Sequence, residues 1–153
     1  MGITRFEEII ELREAGLLNK LTEVWNASVR ASHHFLSERD IEKIKPFVKT
    51  ALQDIQQLIV VWQSLEPLGF MGIEDDKIEM LFLSPTVMGK GIGSRLIDLA
   101  VSRYEVGKVD VNEQNKQAVR FYEHKGFRVF GRDETDAQGN PFPILHMAFI
   151  PPA

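Results

Sequence analysis

Three glycines, Gly89, Gly91 and Gly93, stand at the junction of an apolar strand and an amphipathic helix, and no other segment constrains this chain as strongly. The preceding run Ile78-Glu79-Met80-Leu81-Phe82-Leu83 is apolar and lies between Asp75-Asp76 and Ser84-Pro85, so it reads as a strand. Beyond it, Ile92, Leu96, Leu99, Ala100 and Tyr104 recur at helical spacing. Glycine has no Cβ, so the backbone can approach a ligand closely and several N–H groups can aim at one anion. The helix N-terminus adds about half a positive charge in the same direction. The local chemistry is that of a pyrophosphate cradle.

Two other phosphate loops do not fit. Lys90 lacks the spacing and the following hydroxyl of a P-loop. A dinucleotide fingerprint needs its third glycine one residue later, and an acid about 20 residues on, where Val109 stands.

A second constellation follows. Lys108-Val109-Asp110-Val111-Asn112 alternates as a short strand, and Asn115, Ala118, Phe121 and Tyr122 lie on a helix that ends at Lys125-Gly126. Gly126 suits a left-handed helix cap, and Phe127 opens the next strand. With Met88-Gly89-Lys90-Gly91-Ile92-Gly93 and Asn115-x-x-Ala118-x-x-Phe121-Tyr122-x-x-x-Gly126-Phe127 in this order, the chain resembles the GNAT superfamily of N-acetyltransferases. More narrowly, it is similar to the small bacterial members, and the matching stretch is residues 78–130.

The resemblance implies an α+β fold: a mixed, mostly antiparallel twisted sheet of six or seven strands flanked by four helices. It implies one N-acetyltransferase domain over residues 1–153, with acetyl-CoA as cofactor. The reaction would move an acetyl group to a primary amine, of a small molecule or of a peptide or protein, by direct transfer in a ternary complex. Backbone groups of Leu81, Phe82 and Leu83 would pair with the pantetheine arm, whose amides need partners once out of water. Amides of Gly89, Lys90, Gly91, Ile92, Gly93 and Ser94 would hold the pyrophosphate. Met88 stands where the family usually carries Gln or Arg, and a backbone-dominated grip would tolerate that departure.

Asn115 would offer its amide to the cofactor; the alternative is a helix N-cap. Tyr122 would protonate the departing thiolate, since a phenol with a pKa near 10 can donate to sulfur. The general base is open between Glu79, which shares a strand face with Leu81, and Asp110, His34 or a water chain; His33 lies beside His34. A backbone N–H near Leu83 would polarise the thioester carbonyl. The alternative to an enzyme is an acyl-CoA-binding or sensing module without turnover.

A formal charge of −4 opposes nonspecific nucleic-acid binding and favours cationic amine acceptors. The absence of cysteine excludes disulfides, a thiolate metal site and a cysteine nucleophile, and no metal is expected. Neither a signal-peptide core nor a run of about 18 apolar residues is present, so a cytoplasmic protein without a membrane partner is expected. It would act as a monomer or homodimer, with Ile144 to Ile150 as a possible pairing edge.

The rest of the chain reads coarsely. Residues 8–13 alternate weakly and suggest a first strand, with a helix as the alternative, and Leu17, Leu18, Leu21, Val24, Trp25 and Val29 form a helical core stripe. After a loop at residues 32–36, Ser37 and Asp40 cap a helix. Its expected buried face is Ile41, Ile44, Phe47, Val48, Ala51 and Leu52, with Pro46 splitting or kinking it. Leu58 to Trp62 and Leu68 to Ile73 read as strands joined around Pro67, and Phe127 to Arg132 and Ile144 to Ile150 as strands joined by a turn at residues 136–140.

Overall fold

Residues 4–152 are described by a computed structural model; residues 1–3 and 153, the ends of the expected domain, lie outside the described residues. The elements are β1 (Thr4–Glu8), α1 (Ala15–Ser32), α2 (Glu38–Asp54), β2 (Gln57–Gln63), β3 (Glu66–Glu74), β4 (Lys77–Leu83), α3 (Ile92–Tyr104), β5 (Lys108–Asn112), α4 (Lys116–His124), β6 (Phe127–Asp133) and β7 (Ile144–Phe149). The strands form one seven-stranded sheet in the order β1-β2-β3-β4-β5-β7-β6. Strands β4 and β5 run parallel, while β1–β2, β2–β3, β5–β7 and β6–β7 are antiparallel. This is the expected mixed α+β sheet with four helices.

The described residues divide into two compact units. The first runs to Glu74 and includes Met80–Gly93. Its core joins Leu18, Leu21 and Trp25 of α1 to Ile41, Val48 and Leu52 of α2, and both to Leu58, Val60 and Phe70 of the sheet. Each such side chain, fully buried, stabilises the fold by about 1.5–3 kcal/mol. Leu18, Leu21, Val24, Trp25 and Val29 of the stripe read on α1 are therefore core. Helix α2 starts on a reciprocal cap: Asp40 N–H donates to Ser37 Oγ at 3.1 Å and Ser37 N–H to Asp40 Oδ2 at 2.9 Å. At its other end the Arg13 guanidinium donates to the carbonyls of Leu52 and Gln53, at 2.8 and 3.1 Å.

Several expectations need correction. The first strand lies at Thr4–Glu8, four residues earlier than expected, and the exposed Ile10 and Leu12 follow it. Pro46 does not split α2, which runs unbroken over 17 residues, held by its capped ends and buried face. Phe47 is 70% exposed because it lies about 100° round the helix from Val48, off the buried stripe. Ala51 is exposed too. The hairpin between β2 and β3 turns at Ser64-Leu65, where Ser64 has φ 54, and Pro67 is already inside β3 opposite Trp62.

The second unit comprises Asp75–Glu79 and the chain from Ser94 onward. In β5, Val109 and Val111 are buried while Lys108 is exposed, the alternation of a half-covered strand. Leu96, Ile97 and Ala100 of α3, Phe127 of β6 and Met147 of β7 are buried with them. The turn at residues 136–140 forms as expected, with Asp136 Oδ1 accepting from Gln138 and Asn140 N–H, at 3.0 and 2.8 Å. Strand β7 offers no edge for a partner: it pairs with β5 on one side and β6 on the other. Among the described residues, no helix is long and apolar enough to cross a membrane.

Candidate active site

In the first unit, Leu81, Phe82 and Leu83 end β4 half-buried. The Phe82 ring lies 5.7 Å from Phe70 and 6.1 Å from His33, which in turn lies 5.4 Å from Phe35. Burial, reinforced by neighbouring His34, lowers the His33 pKa to about 4. His33 is therefore neutral near pH 7 and a weak proton acceptor, while His34 is exposed.

Past β4 the chain is tied down at once. Ser84 N–H donates to Leu68 O at 2.7 Å, and a single 3₁₀ turn, Pro85–Val87, follows with Val87 buried. Met88 is extended and half-buried. Gly89 and Gly91 have φ of +77° and +84°, the left-handed region that only glycine adopts freely. A Cβ at either would meet nothing within 4 Å, so backbone twist, not crowding, demands glycine there. Ile92, buried, begins α3. The first amides of that helix have no carbonyl partner within it. Left-handed glycines, donor-only groups and open space fit a pyrophosphate.

In the second unit, Ser94 lies in the first turn of α3, and its Oγ accepts from Lys125 Nζ at 2.7 Å. Asn115 is the N-cap of α4: its Oδ1 accepts from Ala118 N–H at 3.2 Å, which is the alternative reading of this residue. Tyr122 is buried, with Phe121 and Phe127 edge-on at 5.1 and 5.7 Å. Burial pushes its phenol well above the ordinary value, so the hydroxyl keeps its proton and can serve as a donor.

The two candidate base carboxylates share one cation. Lys77 Nζ lies 2.6 Å from Asp110 and 3.4 Å from Glu79. Asp110 also meets His146 Nδ1 at 2.7 Å, and His146 Nε2 meets Asp133 at 2.8 Å. Burial alone would raise the Asp110 pKa, but hydrogen bonds from Lys77 and His146 outweigh it and hold the carboxyl below its usual range. Sequence reasoning missed His146 and Lys77. Only the register that sets Asp110 opposite His146 reveals the first, whereas the i, i+2 spacing of Lys77 and Glu79 was a visible signal for the second.

Hydrogen bonds to Asp110 and then Asp133 raise the His146 pKa. The folded imidazole thus binds its proton more tightly than the unfolded one. Its contribution to stability is full below about pH 6.5 and is lost as pH rises through the higher folded value. His146→Gln is expected to flatten the stability profile in that window, measured by thermal melts across the neutral range; an unchanged slope would remove His146 from the account.

A groove of about 470 Å³ between α1 and α2, lined by Asn19, Thr22, Glu42 and Lys49 among others, holds none of the expected cofactor or base residues. Among the described residues, no group of three or more His, Cys, Asp or Glu could hold a metal ion.

The mixed seven-stranded sheet with its helices is the fold that the resemblance implies, that of an acetyltransferase class. A family model described as an acetyltransferase (GNAT) domain matches residues 26–149, and the chain belongs to this family. It is an N-acetyltransferase that uses acetyl-CoA to acetylate amines. It is 38% identical over 130 residues to the peptidyl-lysine N-acetyltransferase YjaB of Salmonella typhimurium, covering 85% of this chain and 90% of that protein. The Escherichia coli protein of the same name is 37% identical over 131 residues, covering 86% and 89%. The solution structure of apo YjaB from Escherichia coli superposes with a TM-score of 0.86 at 32% identity, covering 98% of this chain and 99% of that one. The PaiA N-acetyltransferase of Thermoplasma acidophilum, solved with coenzyme A, shares the fold at TM-score 0.65 and 20% identity, covering 95% and 99%.

Proposed function

We propose that this chain is a peptidyl-lysine N-acetyltransferase: one domain over residues 1–153, cytoplasmic, monomeric or homodimeric, acting without nucleic acid or membrane. The observation that carries the acceptor is the 38% identity, over 85% of the chain, to a protein named for that activity. Acetyl-CoA supplies an acetyl thioester with a thiolate leaving group, and no residue here is asked to carry the acyl group, so transfer is direct.

The chain's own groups then have distinct tasks. Backbone groups of Leu81, Phe82 and Leu83 hold the pantetheine arm; these residues lie beyond Lys77 and Ile78, the two through which β4 pairs with β5. Amides of Gly89, Lys90, Gly91, Ile92, Gly93 and Ser94 hold the pyrophosphate, with Met88 contributing backbone alone. Asn115 offers its amide to the cofactor, and Tyr122 donates the proton that the thiolate takes up. Glu79 removes the proton from the acceptor ammonium. It is the less committed carboxylate, since Lys77 stands 3.4 Å from it but 2.6 Å from Asp110.

The test follows thiol release from acetyl-CoA with N-terminally blocked lysine peptides, unblocked lysine-free peptides and polyamines, and locates the acetyl group by mass spectrometry. Acetylation of the lysine ε-amine is expected, slowed in Glu79→Gln and partly restored at higher pH, where the amine deprotonates unaided. Acetylation confined to α-amines or polyamines would overturn the lysine acceptor. CoA binding without transfer to any amine would leave a sensing module instead.

A further inference from the structure

We propose that Lys125 is a positioning residue for the cofactor pyrophosphate: its ammonium orients the Ser94 hydroxyl and adds positive charge at the start of α3. The inference rests on the reading that the cofactor phosphates lie there. Lys125 follows the last residue of α4, and its side chain is 17% exposed, a low value for lysine. Its Nζ lies 2.7 Å from Ser94 Oγ and 2.7 Å from Asp98 Oδ1.

A lysine ammonium only donates. Ser94 Oγ therefore accepts at this contact, which leaves its own O–H as a further donor. The first backbone N–H groups of α3 are donors without helical acceptors. Hydroxyl, amides and ammonium thus make one patch of donors, and a phosphate oxygen is the matching acceptor. The pair with Asp98 does not account for this placement. Asp98 is 68% exposed, and a salt bridge to so exposed a carboxylate contributes little.

The backbone beneath Lys125 is pinned. Gly126 takes φ +99° to turn from α4 into β6, and a Cβ there would come within 3.1 Å of the Phe149 ring. The ammonium is therefore presented from a turn that needs glycine, on a side chain that is largely buried.

Calorimetric titration of the full chain with CoA and with dephospho-CoA, which keeps the pyrophosphate but lacks the ribose phosphate, tests this. Lys125→Met is expected to weaken both by about tenfold, the loss of one charge-assisted hydrogen bond. Lys125→Arg, which keeps the charge, should recover most of it. In turnover the loss should fall on KM for acetyl-CoA rather than on kcat. Wild-type affinity in Lys125→Met, with or without a lower melting temperature, would make the residue merely structural and overturn the proposal. So would a loss seen with CoA but absent with dephospho-CoA, which would reassign Lys125 to the ribose phosphate. A wild-type chain that binds neither ligand would overturn the cofactor reading itself, and this inference with it.

Discussion

Tyr122→Phe is expected to lower kcat roughly a hundredfold while leaving affinity for CoA nearly intact. The ring stays where it is, between Phe121 and Phe127, so packing is preserved and only the hydroxyl is lost. Burial pushes the phenol upward, so it stays protonated near neutral pH. The same burial makes it a poorer acid than a free phenol. Its contribution must therefore come as a hydrogen bond that strengthens while charge gathers on sulfur, in surroundings that screen weakly. Because it strengthens as that charge develops, its loss should appear mainly in kcat and leave ground-state binding nearly unchanged. Steady-state kinetics beside CoA titration separates the two. An unchanged kcat would take Tyr122 out of proton donation and leave that step to water; a matching loss of CoA affinity would make it a binding residue instead.

What the sequence revealed depended on whether the signal was local. Gly89, Gly91 and the run from Asn115 to Gly126 were legible because their constraints, a positive φ, a helix cap and a buried helix face, act within a few residues. The core stripes of α1 and α2 were legible for the same reason, since helical period is written in consecutive turns. Phe47 was misplaced because its hydrophobicity outweighed its angle on the helix. Residues 8–13 alternate only weakly, the ladder to β2 forms with Thr4–Glu8 instead, and no local rule sets that register. The cluster of Lys77, Asp110, His146 and Asp133 was hidden for a deeper reason. Its members sit on four strands, and only sheet order and register bring them together.

Gly69→Ala is expected to destabilise the fold by about 3 kcal/mol and to weaken acetyl-CoA binding with it. A Cβ at position 69 would stand 2.5 Å from Leu83 Cδ2, 2.8 Å from Phe82 O and 3.3 Å from Leu83 Cα. The first of these is a side-chain tip that can swing away. The second is a backbone carbonyl that cannot, so β4 itself must retreat from β3. It would do so at Phe82 and Leu83, the residues assigned to the pantetheine arm, and beside the 2.7 Å bond from Ser84 N–H to Leu68 O that starts the glycine loop. Gly72, on the same strand, is the control. A Cβ there meets Met80 Cε at 2.7 Å and Ile55 Cγ1 at 3.1 Å, side-chain atoms that can shift, so Gly72→Ala should cost less than about 1 kcal/mol. Denaturant unfolding of the two variants, each followed by CoA titration, compares identical added methyls against backbone and against side chain. Equal costs would mean that the strand pair yields as readily as a methionine tip, and that close backbone contact is not what holds β4 in place.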